Sequence, residues 1–270
     1  MIYYLICAVI TAACLFLGYR LARFVFSEGR QVKHRKVKMA AVTVLTAVLI
    51  PVLLLLMFLS VYSHAGKRAE IALCGSETVT VTPVDGGYFF DGPEDDKALI
   101  FYGGAKIEAE AYAPLMLSLA ESGWDCFLAD MPLNFSLFGM NRAEKFLSQY
   151  AYDSWLMAGH SMGGVVASKY ADKHAERFVG IILLASYATS PVDSRLTLCS
   201  VYGSLDSRLN RGNYENYKQN WSPESVEFVL DGGNHTQFAD CAQRSGDSTA
   251  TISFEEQIYE TVQAVQQCFG

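Results

Sequence analysis

Hydrophobic positions come first in two unbroken runs and then in short stretches set between helical repeats. Residues 39–62, MAAVTVLTAVLIPVLLLLMFLSVY, carry no charge across 24 positions. As a helix rising about 1.5 Å per residue they would reach about 36 Å, more than the roughly 30 Å of a bilayer's hydrocarbon core. Pro51 would kink that helix, which membrane helices tolerate. A buried core helix seldom needs so long a uniform run. Residues 1–19, MIYYLICAVITAACLFLGY, form a second uncharged run that ends at Arg20. It lacks the basic leader of a secretory signal and Cys14 stands in no cleavage box, so it reads as a second membrane helix.

Between the runs lies a basic loop, residues 20–38, with Arg20, Arg23 and SEGRQVKHRKVK. Its excess of Lys and Arg places it on the cytoplasmic side. Both ends of the chain then face outward. The expectation is a multi-pass protein of the cell membrane with its larger part extracytoplasmic. Charge divides the same way: residues 1–62 hold seven basic side chains against one acid, the remainder 14 against 27. So acidic a remainder argues against a nucleic-acid partner, which needs a basic face for phosphates.

Residues 63–77 read as a linker, and residues 78–270 as one domain. TVTVTP and YFFDG flank the turn VDGG and predict a hairpin. KALIFYG, DCFLAD, SWLMAGH, GIILLAS, LTLCSVYG and VEFVLDG are continuously apolar and of strand length, as strands buried on both faces are. Helical stretches fit between them at 109–122, 141–149, 162–174, 207–219 and 253–268. In the last, Ile258, Val262, Val265 and Phe269 recur at helical spacing. This alternation defines an α/β fold, a mostly parallel sheet flanked by helices.

Reactive groups in such sheets gather where strands end. After SWLMAGH comes Gly159-His160-Ser161-Met162-Gly163, a G-x-S-x-G between a predicted strand and a predicted helix. That junction projects a serine above the sheet on a sharp turn, with flanking glycines avoiding clashes. Ser161 is the candidate nucleophile, and it needs a base. His34 lies in the basic loop and His64 in the linker. His160 should point away from the attack, and His174 falls on a surface helix. His235, in GGNHT after the last strand, is the candidate base. Asp206, in YGSLD, follows a strand at the same edge and keeps the order Ser, Asp, His; Asp193 and Asp231 are competing carboxylates. The Met162 N–H is the natural first donor to an oxyanion. The second should come from the loop after KALIFYG, from Ala105 or Lys106.

These motifs together resemble the α/β-hydrolase superfamily. YFFDG, LIFYGGAKIEAEAYAPL, DMPLN, AGHSMGG, YGSLD and GGNHTQF stand in the same order over about residues 78–270. The resemblance is closest to a small, lidless, bacterial branch of membrane-tethered or exported hydrolases. It implies a Ser161–Asp206–His235 triad and an oxyanion loop near Ala105. Glu110 and Tyr112 belong to the matching segment and shape that loop. Tyr102-Gly103-Gly104 departs from the His-Gly pair common in lipases.

Only about ten residues, YATSPVDSRL, follow GIILLAS where larger relatives insert a cap, so the site should be open there. The apolar loop Met131–Phe138 is either an acyl-binding wall or cover for the sheet edge or bilayer. Thr236 to Ile252 is polar, long for a loop, and placed to form a rim over the site. No phosphate loop, dinucleotide fingerprint or metal-ligand cluster is present, and no cofactor is expected. Cys74, Cys241 and Cys268 fall where pairing is open to them. Asn134, Asn220 and Asn234 begin glycosylation sequons, and a glycan on Asn234 would crowd His235. The leading expectation is a serine hydrolase cleaving a small-molecule or lipid carboxylic ester. An acyltransferase or thioesterase would use the same triad. A non-catalytic binding module would have no need of it.

Overall fold

The computed structural model describes residues 2–25, 34–94 and 96–270. The chain divides into two compact units, Met1–Val61 and Tyr62–Gly270. In the first, α1 (Ile2–Val25) and α2 (Arg35–Ser60) are both longer than the apolar runs, extending into their basic flanks. Among the described residues one helix, over Arg35–Phe58, is long and apolar enough to cross a membrane, with mean hydropathy 2.7. α1 packs along α2 at Gly18, where a side chain would meet Thr43 O at 2.9 Å. Thr43 and Thr46 return their hydroxyl protons to Met39 O and Val42 O, both at 2.8 Å, so neither hydroxyl costs an unmet hydrogen bond. Residues 26–33 of the basic loop lie outside the described residues.

The predicted linker 63–77 folds against the second unit instead of spanning open solvent. It forms α3 (Lys67–Ala72), whose Ala69 and Ala72 are buried. Ser63 pairs with Ile107 and Ala65 with Cys241. The Gly66 N–H donates to Asp240 O at 2.7 Å, and the Ala69 N–H donates to Asp240 Oδ2 at 2.9 Å. Small residues and backbone bonds make this attachment, so no apolar periodicity announces it.

The hairpin is β1 (Thr80–Val84) and β2 (Gly87–Asp91). There follow β3 (Lys97–Tyr102), α4 (Ala113–Glu121), β4 (Asp125–Ala129), α5 (Ala143–Leu147), β5 (Ser154–His160), α6 (Met162–Lys173), β6 (Gly180–Leu184), β7 (Thr197–Gly203), α7 (Arg211–Tyr217), β8 (Ser225–Leu230) and α8 (Phe254–Phe269). The sheet runs β1-β2-β4-β3-β5-β6-β7-β8. β2 is antiparallel to both of its neighbours, and every later pairing is parallel.

Alternation within a strand feeds two cores. Leu99 and Phe101 face α4 and α8, while Ala98, Ile100 and Tyr102 face α6. Both sets are buried, which is why β3 reads as apolar throughout. α8 starts at Ser253, whose Oγ accepts the Glu256 N–H at 3.1 Å, and its acidic first turn suits the helix dipole. Ile258, Val262 and Val265 are buried as their spacing predicts. Residues 185–196 connect β6 to β7 without a cap domain.

Phe127 is fully buried and contacts the rings of Phe89, Phe146, Tyr150 and Trp155. Phe127→Ala is expected to destabilise the second unit by about 3–5 kcal/mol, measured by denaturant unfolding in detergent.

Candidate active site

Between the end of β5 and the start of α6, Ser161 alone makes the turn, at φ 52° and ψ −123°. A side chain held at positive φ costs of order 1–3 kcal/mol and persists only where neighbours impose it. Here the Ser161 N–H donates to Leu184 O at 2.9 Å. The Ser186 hydroxyl donates to Ser161 O at 2.6 Å. A Cβ on Gly159 would stand 2.5 Å from the Gly163 carbonyl carbon, and one on Gly163 would strike Tyr102 O. The motif's glycines are therefore needed for backbone approach.

Asp206, after β7, and His235, after β8, meet. Asp206 Oδ1 accepts the N–H groups of Arg208 and Leu209, each at 2.8 Å. Its Oδ2 lies 2.9 Å from His235 Nδ1. The carboxylate can only accept, so Nδ1 carries the proton and Nε2 presents its lone pair. The Asp206 side chain is wholly buried and that of His235 is 6% exposed. The competing carboxylates have other partners. Asp193 grips Arg195 at 2.7 Å, and that side chain holds it down to about 2; Asp231 accepts from Ser204 Oγ at 3.1 Å.

Ser161, Met162 and His235 line one cavity of about 340 Å³, walled by Leu137, Val165, Tyr187 and Leu209. Leu137 brings the apolar loop to the cavity, while Leu133 and Phe138 are exposed. A larger groove of about 530 Å³ between α3, α4 and α8 contains none of the candidate residues.

The predicted oxyanion loop passes beside Ser161: a Cβ on Gly104 would sit 3.4 Å from Ser161 Cβ. Met162 opens α6, where helix N–H groups lack intrahelical partners. The Lys106 N–H donates to Asn134 O at 2.7 Å, whereas the Ala105 N–H makes no such bond among the described residues.

His160 does not line the cavity that Ser161 and His235 share. It is fully buried, its ring centroid 4.5 Å from that of His235. Tyr112 links it to the oxyanion loop: its hydroxyl accepts the Gly104 N–H at 2.8 Å and lies 2.8 Å from His160 Nδ1. Which of the two holds the shared proton is set by the imidazole tautomer. His160 Nε2 has no hydrogen-bond partner among the described residues. Burial, then the neighbouring His235, hold His160 well below the usual histidine range, so the ring is neutral. The sequence placed Tyr112 in the oxyanion-loop segment and His160 in the serine motif, but gave no sign of their bond to each other. Glu110 instead accepts the Tyr88 hydroxyl at 2.7 Å. His64 pairs with Glu108, and His174 stacks near Tyr170.

Asn234 is fully buried, its amide nitrogen donating to Ser248 O at 2.7 Å, so its sequon is closed to glycosylation. The described cysteines, including Cys74, Cys241 and Cys268, are free thiols.

A parallel sheet with a serine on a strand-to-helix turn, and an acid–histidine pair beyond later strands, defines the α/β-hydrolase class. Residues 98–259 match the alpha/beta hydrolase family, and the chain belongs to that family. Among solved structures it is similar to a putative hydrolase from Agrobacterium vitis, with TM-score 0.54 and 12% identity over 72% of this chain and 100% of that one. Alpha/beta hydrolase domain-containing protein 10 from mouse gives TM-score 0.51 and 11% identity, over 70% and 97%. Est1E from Butyrivibrio proteoclasticus gives 0.50 and 14%, over 71% and 99%. No curated protein matches the sequence.

The neutral His160 makes stability depend on pH. Unfolded, it takes up a proton near its ordinary value of 6.5; folded, it resists. The unfolded state then binds the extra proton, so stability falls as pH drops below about 6.5. The melting temperature should decline from about pH 7 to about pH 5, and decline less in His160→Gln; equal slopes would refute this.

Proposed function

We propose that this hydrolase cleaves carboxylic esters through Ser161, His235 and Asp206 and an acyl-enzyme. The observation that carries the reading is the 2.9 Å contact of His235 Nδ1 with Asp206 Oδ2, with His235 and Ser161 on one cavity. In this mechanism His235 Nε2 takes the Ser161 proton as Oγ attacks the ester carbonyl. The Met162 and Ala105 N–H groups receive the developing oxyanion. The imidazolium, steadied by Asp206, then protonates the departing alcohol. Water, deprotonated by His235, attacks the acyl-serine, releases the acid and restores the enzyme. Apolar walls around about 340 Å³ suit a short acyl group or the reactive end of a lipid ester.

The protein is further proposed to be anchored in the cell membrane by α2, with residues 1–19 as a second span. The basic residues between the two apolar runs favour a cytoplasmic loop and an extracytoplasmic catalytic unit.

A fluorophosphonate should label the full chain in detergent, and Ser161→Ala should lose both label and turnover; retained turnover would sink the mechanism. Asp206→Asn should lower kcat by about a thousandfold or more through the wrong histidine tautomer. Protease added outside intact cells should cut the catalytic unit, whereas full protection would reverse the topology.

A further inference from the structure

The segment between β8 and α8, expected as a rim, is a strap that joins three loops. Thr236, next to His235, donates from its N–H and its hydroxyl to Asp247 Oδ2 at 2.8 and 2.7 Å. Asp247 Oδ1 accepts the Ser207 N–H, beside Asp206, at 3.3 Å. Arg208 Nη1 donates to Ser245 O.

Arg244 reaches the third loop. Its Nη1 donates to Lys106 O at 2.9 Å and Ser63 Oγ at 3.0 Å. Its Nη2 donates to Ala105 O at 3.3 Å, and its backbone N–H donates to Thr236 Oγ1 at 3.2 Å. Lys106 sits at φ 61°, a conformation that a lysine leaves unless it is held. Ser63 is itself paired with this loop: its N–H donates to Lys106 O at 2.8 Å and its O accepts the Glu108 N–H at 3.0 Å.

We propose that Arg244 is a positioning residue for the oxyanion hole. The proposal rests on Ser161 being the nucleophile. By gripping the Ala105 and Lys106 carbonyls, the guanidinium keeps their negative ends off the site where negative charge develops. It thereby fixes the backbone that presents the Ala105 N–H. A planar fork can hold two carbonyls and a hydroxyl at once, whereas an ammonium is a compact point charge on a mobile stem. Because Ser63 and Thr236 share the same side chain, the oxyanion loop, the residue after His235 and the segment following α2 are set by one group.

The test uses the full chain in detergent with p-nitrophenyl butyrate. Arg244→Gln is expected to lower kcat about tenfold to a hundredfold with KM within about threefold, less than the loss of a donor itself. Affinity for a butylboronic acid, which mimics the tetrahedral intermediate, should fall by the same factor as kcat/KM, while binding of butyrate holds. The shape of the pH–rate profile should not change. Arg244→Lys, with its melting temperature matched to the parent, is read in the same way if the glutamine variant melts early. A kcat/KM within about twofold of the parent overturns the proposal, as does equal weakening of boronate and butyrate. Loss of turnover in Ser161→Ala beside full activity in Arg244→Gln overturns this inference alone. Turnover retained in Ser161→Ala overturns the underlying reading.

Discussion

The backbone at Ser161 is the constraint on which the rest of the site depends. A serine at φ 52° is not self-supporting. It is held because β6 and Ser186 take hold of its N–H and its carbonyl, and because α6 starts immediately behind it. Those contacts demand that β5, β6 and α6 approach one another more closely than side chains allow, hence Gly159 and Gly163. The same closeness brings β3's end, and so the loop at Gly104, beside the serine. Sheet order, glycine placement and the cavity's location are thus one geometric condition seen from three sides.

What could be read in the sequence was local. β5, the turn and α6 announce themselves within a few residues, because burial on both faces makes the strand apolar and the sharp turn requires glycine. That Asp206 and His235 should end at one sheet edge was legible from their places after strands, and the buried stripe of α8 from its spacing. Features made by contacts between distant residues left no such mark. Arg244 sits in a polar stretch with no periodicity, and its partners Ser63, Ala105 and Lys106 lie more than a hundred residues away in sequence. His160 was visible as a motif neighbour, but only the hydroxyl of Tyr112 explains its inward orientation. The packing of 63–77 was hidden because alanines and backbone bonds make it.

Two histidines with different tasks stand against each other. His235 keeps a carboxylate on Nδ1 and lines the cavity. His160 has a phenol on Nδ1 and no partner on Nε2, and burial keeps it uncharged. The neutral His160 ring packs against His235 and holds Tyr112 without adding a positive charge there. The polarity of each partner assigns the roles.

Ser161 precedes Asp206, His235 and Arg244 in the chain, and synthesis proceeds from the N-terminus. The apolar helices and the strand leading to Ser161 are therefore made before Asp206, His235 and the strap exist. A chain halted before the strap would hold Ser161 and Asp206 but lack His235 and Arg244. The pairing of Asp206 with His235 and the grip of Arg244 on the loop at Ala105 can form only once the segment leading into α8 has been made.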